Sequence, residues 1–252
     1  MDNVIGKYLP GHRNPLQQYS ASDLPFPEFQ VTSNTCFGGH HESFSFNWYF
    51  DFISPFSYLQ FKTFQRLPNS LDIRLVPILF AGLLNHWGQK GPAEIPSKRT
   101  DTYQYCHWYA KRHGIPFRAP PAHPFNPLKS LRLAIALNTT HEVVDLVFNY
   151  IWGEGKDAHT EEGFHGLTIA ANLPNANDLI ASASVKNVLR QNTEQAIALG
   201  IYGVPTFAVE HALFWGLDRT DMMLDYLENP SVFGTSEMRR LSTLPKAVER
   251  RL

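Results

Sequence analysis

Phe44-Ser45-Phe46-Asn47-Trp48-Tyr49-Phe50-Asp51-Phe52-Ile53-Ser54-Pro55-Phe56-Ser57-Tyr58-Leu59 is the stretch that decides how this chain folds. Its first half alternates: Phe44, Phe46, Trp48, Phe50 and Phe52 occupy every second position against Ser45, Asn47, Tyr49 and Asp51, the pattern of a strand with one strongly apolar face. Ser54-Pro55 then joins a preferred N-cap residue to proline at the first helical position, where the missing N–H costs nothing. A helix is predicted from there, with Phe56, Leu59, Phe64 and Leu67 as its apolar stripe and Pro68-Asn69 as its stop. Leu71, Ile73 and Leu75 alternate with Asp72 and Arg74 until Pro77, giving a second strand. Strand, helix and strand in so short a span form a βαβ unit with parallel strands and a right-handed crossover.

Upstream, residues 1–43 carry Pro10, Pro15, Pro25, Pro27, Gly38 and Gly39 with scattered aromatics and no period, and read as an irregular arm. Downstream the strand signal is lost for about a hundred residues. Helices are predicted over 97–113, 127–138, 140–152 and 160–171, and a further one near 183–199 stops at Gly200. Residues 206–210 and 213–215 form two short β runs around Glu210-His211-Ala212, a hairpin whose turn lacks the usual glycine. A helix over 219–228 and a polar tail complete the chain.

The chain has 252 residues, with 22 basic and 23 acidic side chains, so no polybasic footprint for nucleic acid exists. Charged residues are only 18% and aromatics reach 13%, which allows a large core or an extensive subunit interface. The longest apolar run, Val76 to Leu84, is too short for a membrane span and is broken by Pro77 and Gly82. Two cysteines, Cys36 and Cys106, exclude a disulfide framework, a four-cysteine zinc site and a CxxC motif. The eleven histidines show no HExxH spacing, so no metal is expected. With no secretory signal, a reducing cytoplasmic compartment is the expectation.

A βαβ unit, a helical insertion and a ββα unit introduced by Gly203-Val204-Pro205-Thr206 describe an α/β, thioredoxin-like fold with an all-helical domain inserted in the middle. The expected domains are the arm (1–43), a thioredoxin-like domain from 44–80 and 184–230, a helical insertion over 81–183, and a tail over 231–252. Four motifs sharpen this: residues 49–59, Trp152-Gly153-Glu154-Gly155, Gly203-Val204-Pro205-Thr206 and Phe214-Trp215-Gly216-Leu217-Asp218-Arg219. In order and spacing, from about Phe46 to Glu228, the chain resembles the 2-hydroxychromene-2-carboxylate isomerases. These group with the kappa-class glutathione transferases in the DsbA-like branch of the thioredoxin superfamily.

The resemblance has chemical content. Thiol oxidoreductases of this fold place CxxC at the start of the first helix, where exposed N–H groups and the helix dipole stabilise a thiolate. Here Ser54-Pro55-Phe56-Ser57 stands there, so the geometry is kept and the sulfur must come from outside. Glutathione fits, since a thiol of pKa about 8.5 needs help to ionise at neutral pH. Ser54 is then a hydrogen-bond donor to sulfur; alone it would read as a plain helix cap. The resemblance implies a cis Val204-Pro205 bond, with the Val204 backbone pairing with the cysteinyl part of glutathione. It implies Asp218 for the γ-glutamyl amine, with Leu217, in a place where relatives often have Ser or Asn, offering only its backbone N–H. It places Lys98 at the glycyl carboxylate, against the plain reading of a solvated helix-start lysine, and Gln89 where asparagine is frequent. Arg219 reads as a carboxylate contact or a surface residue, and Trp215 as core. The aromatic substrate pocket is expected between the Ser54 helix start and the insertion, lined from the loop around Trp87 and by Phe56 or Tyr58.

The function so implied is glutathione-dependent cis–trans isomerisation of 2-hydroxychromene-2-carboxylate or a related aromatic keto acid by a homodimer. The alternatives are kappa-type conjugation or reduction of electrophiles, and a thioredoxin-frame binding module without chemistry. A dithiol oxidoreductase is rejected, because neither cysteine stands at the helix start.

Overall fold

The computed structural model describes residues 44–248. The arm over 1–43, Cys36 within it and the last four residues lie outside the described residues.

Four strands form one sheet in the order β2-β1-β3-β4, where β1 is Phe44–Phe50, β2 Leu71–Pro77, β3 Thr206–Val209 and β4 Ala212–Trp215. β1 and β2 are parallel, with Phe46 opposite Ile73 and Trp48 opposite Leu75. β3 pairs antiparallel with β1, Tyr49 facing Thr206, and β4 pairs antiparallel with β3. The expected βαβ and ββα halves therefore meet at the centre of one sheet. The helices are α1 (Pro55–Thr63), α2 (Phe80–Trp87), α3 (Pro96–His113), α4 (Leu128–Ala136), α5 (His141–Phe148), α6 (Glu161–Ala170), α7 (Ala176–Ala181), α8 (Ala183–Ala198), α9 (Thr220–Glu228) and α10 (Ser236–Ser242). No helix among the described residues is long and apolar enough to cross a membrane.

β1 follows the predicted alternation at its start, where Ser45 is exposed and Asn47 half-buried, and is buried on both faces from Trp48 onward. Phe46, Trp48, Phe50 and Phe52 enter the main core with Leu59, Phe61, Phe148 and Trp152. On the other face Tyr49 packs with Val76, Ile78, Leu83 and Ile201. Where helices cover a central strand on both sides both of its faces are buried, and at this end of β1 Tyr49 therefore behaves as core despite its hydroxyl. Each fully buried large side chain is worth about 2 kcal/mol or more relative to exposure. The main core runs without a break from the sheet into the helices of the insertion.

Local differences from the sequence reading have local causes. The helix begun at Pro55 ends at Thr63 and tightens into a 3-10 turn over Phe64–Arg66. α2 and α7 are absent from the sequence reading; at eight and six residues they are too short to show a period, although Gly88, in the left-handed region at φ 61°, closes α2. α5 runs on as a π turn over Asn149–Gly153. The hairpin turn is Glu210-His211 alone, with Glu210 itself at φ 51°, so a charged residue fills the place expected for glycine. The tail holds a 3-10 turn, Pro230–Phe233, and α10, and Phe233 stacks on Phe214.

Candidate active site

Ser54 lies between β1 and α1 with extended backbone, φ −89° and ψ 115°, which lets its side chain turn back over the helix start. Its Oγ accepts from the Ser57 N–H at 3.2 Å, and its hydroxyl faces the Val204 carbonyl oxygen at 3.4 Å. The opening turn of α1 carries no acidic residue to offset the positive end of its dipole. Ser57 is fully buried, and its Oγ has no hydrogen-bond partner among the described residues. Leaving such a group unpaired costs about 1–3 kcal/mol, so the helix start holds one hydroxyl that none of the described residues uses.

The Val204-Pro205 bond is cis. Pro205 O accepts from Gly216 N at 2.9 Å, which fastens the end of β4 to this loop. The buried Gln60 of α1 completes the joint. Its Oε1 accepts from Trp48 Nε1 at 2.7 Å, and its Nε2 donates to Gly216 O at 3.1 Å and Thr220 Oγ1 at 3.0 Å. Gly203 is required by close approach, because a Cβ there would fall 2.2 Å from Trp215 Nε1.

The peptide groups leading into Ser54 are held by side chains that sequence reasoning missed. Asp51 is fully buried; Oδ1 accepts from Ile53 N at 3.0 Å and Oδ2 from Phe80 N at 2.8 Å, joining the Ser54 loop to the first residue of α2. Burial pushes its carboxyl up to about 7 against the pull of these two N–H donors. Trp152 Nε1 donates to Phe52 O at 2.8 Å, and His123 Nε2 lies 2.8 Å from Ile53 O. A lone carboxylate inside an aromatic run is a signal that could have singled out Asp51; nothing local marks His123, 70 residues from its partner.

Ser54, Val204 and Pro205 thus form one hydrogen-bonded unit. Leu217 is buried, and Asp218 is exposed, 3.7 Å from Arg219. Both follow directly on Gly216, which is fastened to Pro205. Gln89 Nε2 donates to Tyr202 O at 2.6 Å, which sets this side chain beside the Gly203-Val204 turn. Lys98 stands on the exposed first turn of α3; its neighbour Arg99 is the residue connected to the Ser54 loop, through Tyr103 and His123.

The aromatic lining differs from expectation in two places. Tyr58 is buried and donates to Pro116 O, so Phe56 is the one of the two left partly exposed at the start of α1. Trp215 is 45% exposed, not core, and meets Tyr202 edge-on at 5.0 Å, because β4 is the sheet's edge strand. Trp87 is half-exposed with its indole N–H bound to Ile201 O, and Phe56 meets the exposed Tyr105 at 6.0 Å. Cys106 is buried and its thiol is pushed up to about 12 by desolvation, far from a reactive thiolate. A cavity of about 1520 Å³ lies along the open edge of β2, between Leu71, Lys62, His141 and Asp145, and includes neither Ser54 nor Val204.

A helix start that presents hydroxyls where a dithiol would sit, opposite a cis-proline loop on a β2-β1-β3-β4 sheet, defines a thioredoxin-class site with serines in the place of the thiol pair. Residues 46–228 match the DSBA-like thioredoxin domain, and the chain belongs to that family. It is 28% identical over 204 residues to glutathione S-transferase kappa 2 of Caenorhabditis elegans, covering 72% of this chain and 91% of that protein. It is 26% identical over 189 residues to the 2-hydroxychromene-2-carboxylate isomerase of Sphingobium xenophagum, covering 72% and 96%. A solved structure of a 2-hydroxychromene-2-carboxylate isomerase superposes with a TM-score of 0.63 at 24% identity, over 77% of this chain and 98% of that one, a likeness of fold.

Proposed function

We propose that this protein is a glutathione-dependent isomerase of 2-hydroxychromene-2-carboxylate or a related aromatic keto acid, working as a cytoplasmic homodimer. The observation that carries the reading is the Ser54 hydroxyl at the start of α1, facing the Val204 carbonyl. The donor set suits glutathione: a hydroxyl and helix N–H groups for a thiolate, a carbonyl for a peptide N–H, Asp218 for an amine and Lys98 for a carboxylate. Ser57 Oγ, which has no partner among the described residues, is a further polar group within the same turn.

Glutathione, when bound, supplies the thiolate that adds to a conjugated carbon and leaves again once the former double bond has rotated. The chain's part is binding and charge stabilisation. Ser54 turns its hydrogen from Val204 O toward the sulfur, and the α1 dipole holds negative charge there. Val204 O, so released, is free to accept from an extended peptide. The exposed rings of Tyr105, Tyr202 and Trp215 offer flat surfaces to an aromatic substrate. In this reading residues 44–80 and 184–230 supply the thiolate and γ-glutamyl ends of the glutathione site, the insertion, 81–183, adds Lys98 for the glycyl carboxylate, and both parts give rings to the substrate.

The second reading, kappa-type conjugation, is favoured by the similarity to the kappa transferase and shares the thiolate site. Incubation with 2-hydroxychromene-2-carboxylate and substoichiometric glutathione separates them. An isomeric product with glutathione returned unchanged supports isomerisation, and accumulation of a glutathione adduct supports conjugation. Failure to bind glutathione in a calorimetric titration leaves a binding module. Light scattering on the purified protein tests the dimer.

A further inference from the structure

Three side chains connect the first turn of α3 to the peptide bond before Ser54. Arg99 Nε donates to Tyr103 Oη at 3.2 Å, Tyr103 Oη lies 2.6 Å from His123 Nδ1, and His123 Nε2 lies 2.8 Å from Ile53 O. The direction of each bond follows from what the atoms can do. A carbonyl oxygen only accepts, so Nε2 carries the imidazole proton and Nδ1 is the acceptor. The Tyr103 hydrogen then points to Nδ1, and its oxygen receives Arg99. Burial, joined by the Arg99 charge, outweighs the Ile53 carbonyl contact and disfavours the imidazolium, and in the neutral ring these contacts assign the proton to Nε2.

The far end of this chain of contacts is anchored. His123 packs edge-on against Trp152, ring centroids 5.3 Å apart, and Trp152 holds Phe52 O. Two side chains of the insertion that touch each other therefore hold two successive carbonyls at the exit of β1. Ser54 N donates to Asp51 O at 3.1 Å, and Ile53 N to Asp51 Oδ1 at 3.0 Å, so the Ile53–Ser54 peptide is pinned at both its carbonyl and its N–H. The link from that peptide's carbonyl to α3 runs through one imidazole.

We propose that His123 is a positioning residue, held as its neutral Nε2–H tautomer by Tyr103, which sets the Ile53–Ser54 peptide and with it the direction of the Ser54 side chain and the α1 start. This inference rests on Ser54 marking the active helix start, and its test does not need glutathione.

In Ser54→Cys the introduced thiol reports the field at the helix start through the pH dependence of its alkylation by iodoacetamide. Its pKa is expected below the free value of about 8.5. Adding His123→Phe, which keeps a ring against Trp152, is expected to raise that pKa by about one unit, and adding His123→Gln, whose amide still donates to Ile53 O, by no more than a few tenths. Adding Tyr103→Phe is expected to give an intermediate shift. Nitrogen-correlated NMR of His123 in the wild-type protein should show the Nε2–H tautomer at neutral pH. Equal pKa values for the introduced thiol in the Phe and Gln variants, or an Nδ1–H ring, would overturn the proposal. An introduced thiol that already titrates as a free one, without any second change, would instead overturn the reading of the helix start.

Discussion

The Ser54 hydroxyl and the Val204 carbonyl meet at 3.4 Å although 150 residues separate them in the chain. That contact is long for an O–H···O bond, so it is readily exchanged for a stronger acceptor. Ser54 therefore has two duties, capping α1 through its oxygen and offering its hydrogen across the site.

Ser54→Ala removes both. The cap contribution predicts a loss of about 1 kcal/mol in chemical denaturation. Loss of the donor to a developing thiolate predicts a fall in kcat/KM of about 10²-fold with glutathione and the chromene substrate. An undiminished kcat/KM would show that the hydroxyl is only a cap.

Ser57→Ala has the opposite sign in the free protein. Its buried hydroxyl has no partner among the described residues, so removing it is expected to raise the unfolding free energy by about 1 kcal/mol. If a ligand completes that group, glutathione affinity measured by calorimetry falls in the same variant. A destabilised Ser57→Ala would mean that the hydroxyl is satisfied in solution.

Asp51 makes stability depend on pH in a defined window. Its folded pKa of about 7 lies above the ordinary 3.8, so between these values the folded chain keeps a proton that the unfolded chain has released. Stability from this group is fully present below about pH 4, declines as pH rises to about 7, and is level beyond. The whole decline corresponds to about 4 kcal/mol at most. Asp51→Asn is less stable at acid pH, since one of two N–H groups loses its acceptor, but urea midpoints between pH 4 and 7 should lack this decline. Parallel profiles for the two proteins would contradict the assignment.

Gln60→Leu leaves Trp48 Nε1 and Gly216 O without their partner in a buried joint. A loss of about 2–4 kcal/mol is expected. The damage should extend to the site, because Gly216 is fastened to Pro205, and weaker glutathione binding at temperatures where the variant is folded is the check. Unchanged binding would show that the joint does not position the cis-proline loop.

The parts legible in the sequence were those with local grammar. Alternation announced β1 and β2, Ser54-Pro55 announced α1, and Val204-Pro205 announced the turn before β3, because each depends on neighbours a few residues away. Tyr49 and Trp215 depart from the sequence reading because their exposure depends on which face of the sheet is covered and on which strand lies at the edge, and Tyr58, on α1, because Pro116, Phe117 and Phe148 reach it only in the fold. Gln60, Asp51 and His123 were invisible as a set for the same reason: Phe80, Gly216 and Ile53 are their partners only after the chain has folded back. The resemblance supplied Asp218, Lys98 and Gln89, which no local pattern marks, and in the fold Gln89 donates to Tyr202 O.

The strand order also sets a timetable. β1 has its parallel neighbour within one crossover, since Tyr49 faces Val76, but its other edge waits for Thr206. At ribosomal rates of about 5–20 residues per second, that wait lasts roughly 8–30 seconds. For that interval the nascent chain presents an aromatic strand with one unpaired side, the kind of edge on which chains aggregate. Phe148 and Trp152 emerge before β3 and can shield Trp48, Phe50 and Phe52 from one face. The insertion that separates the two halves of the site in sequence is thus also placed to chaperone the first half until the second is made.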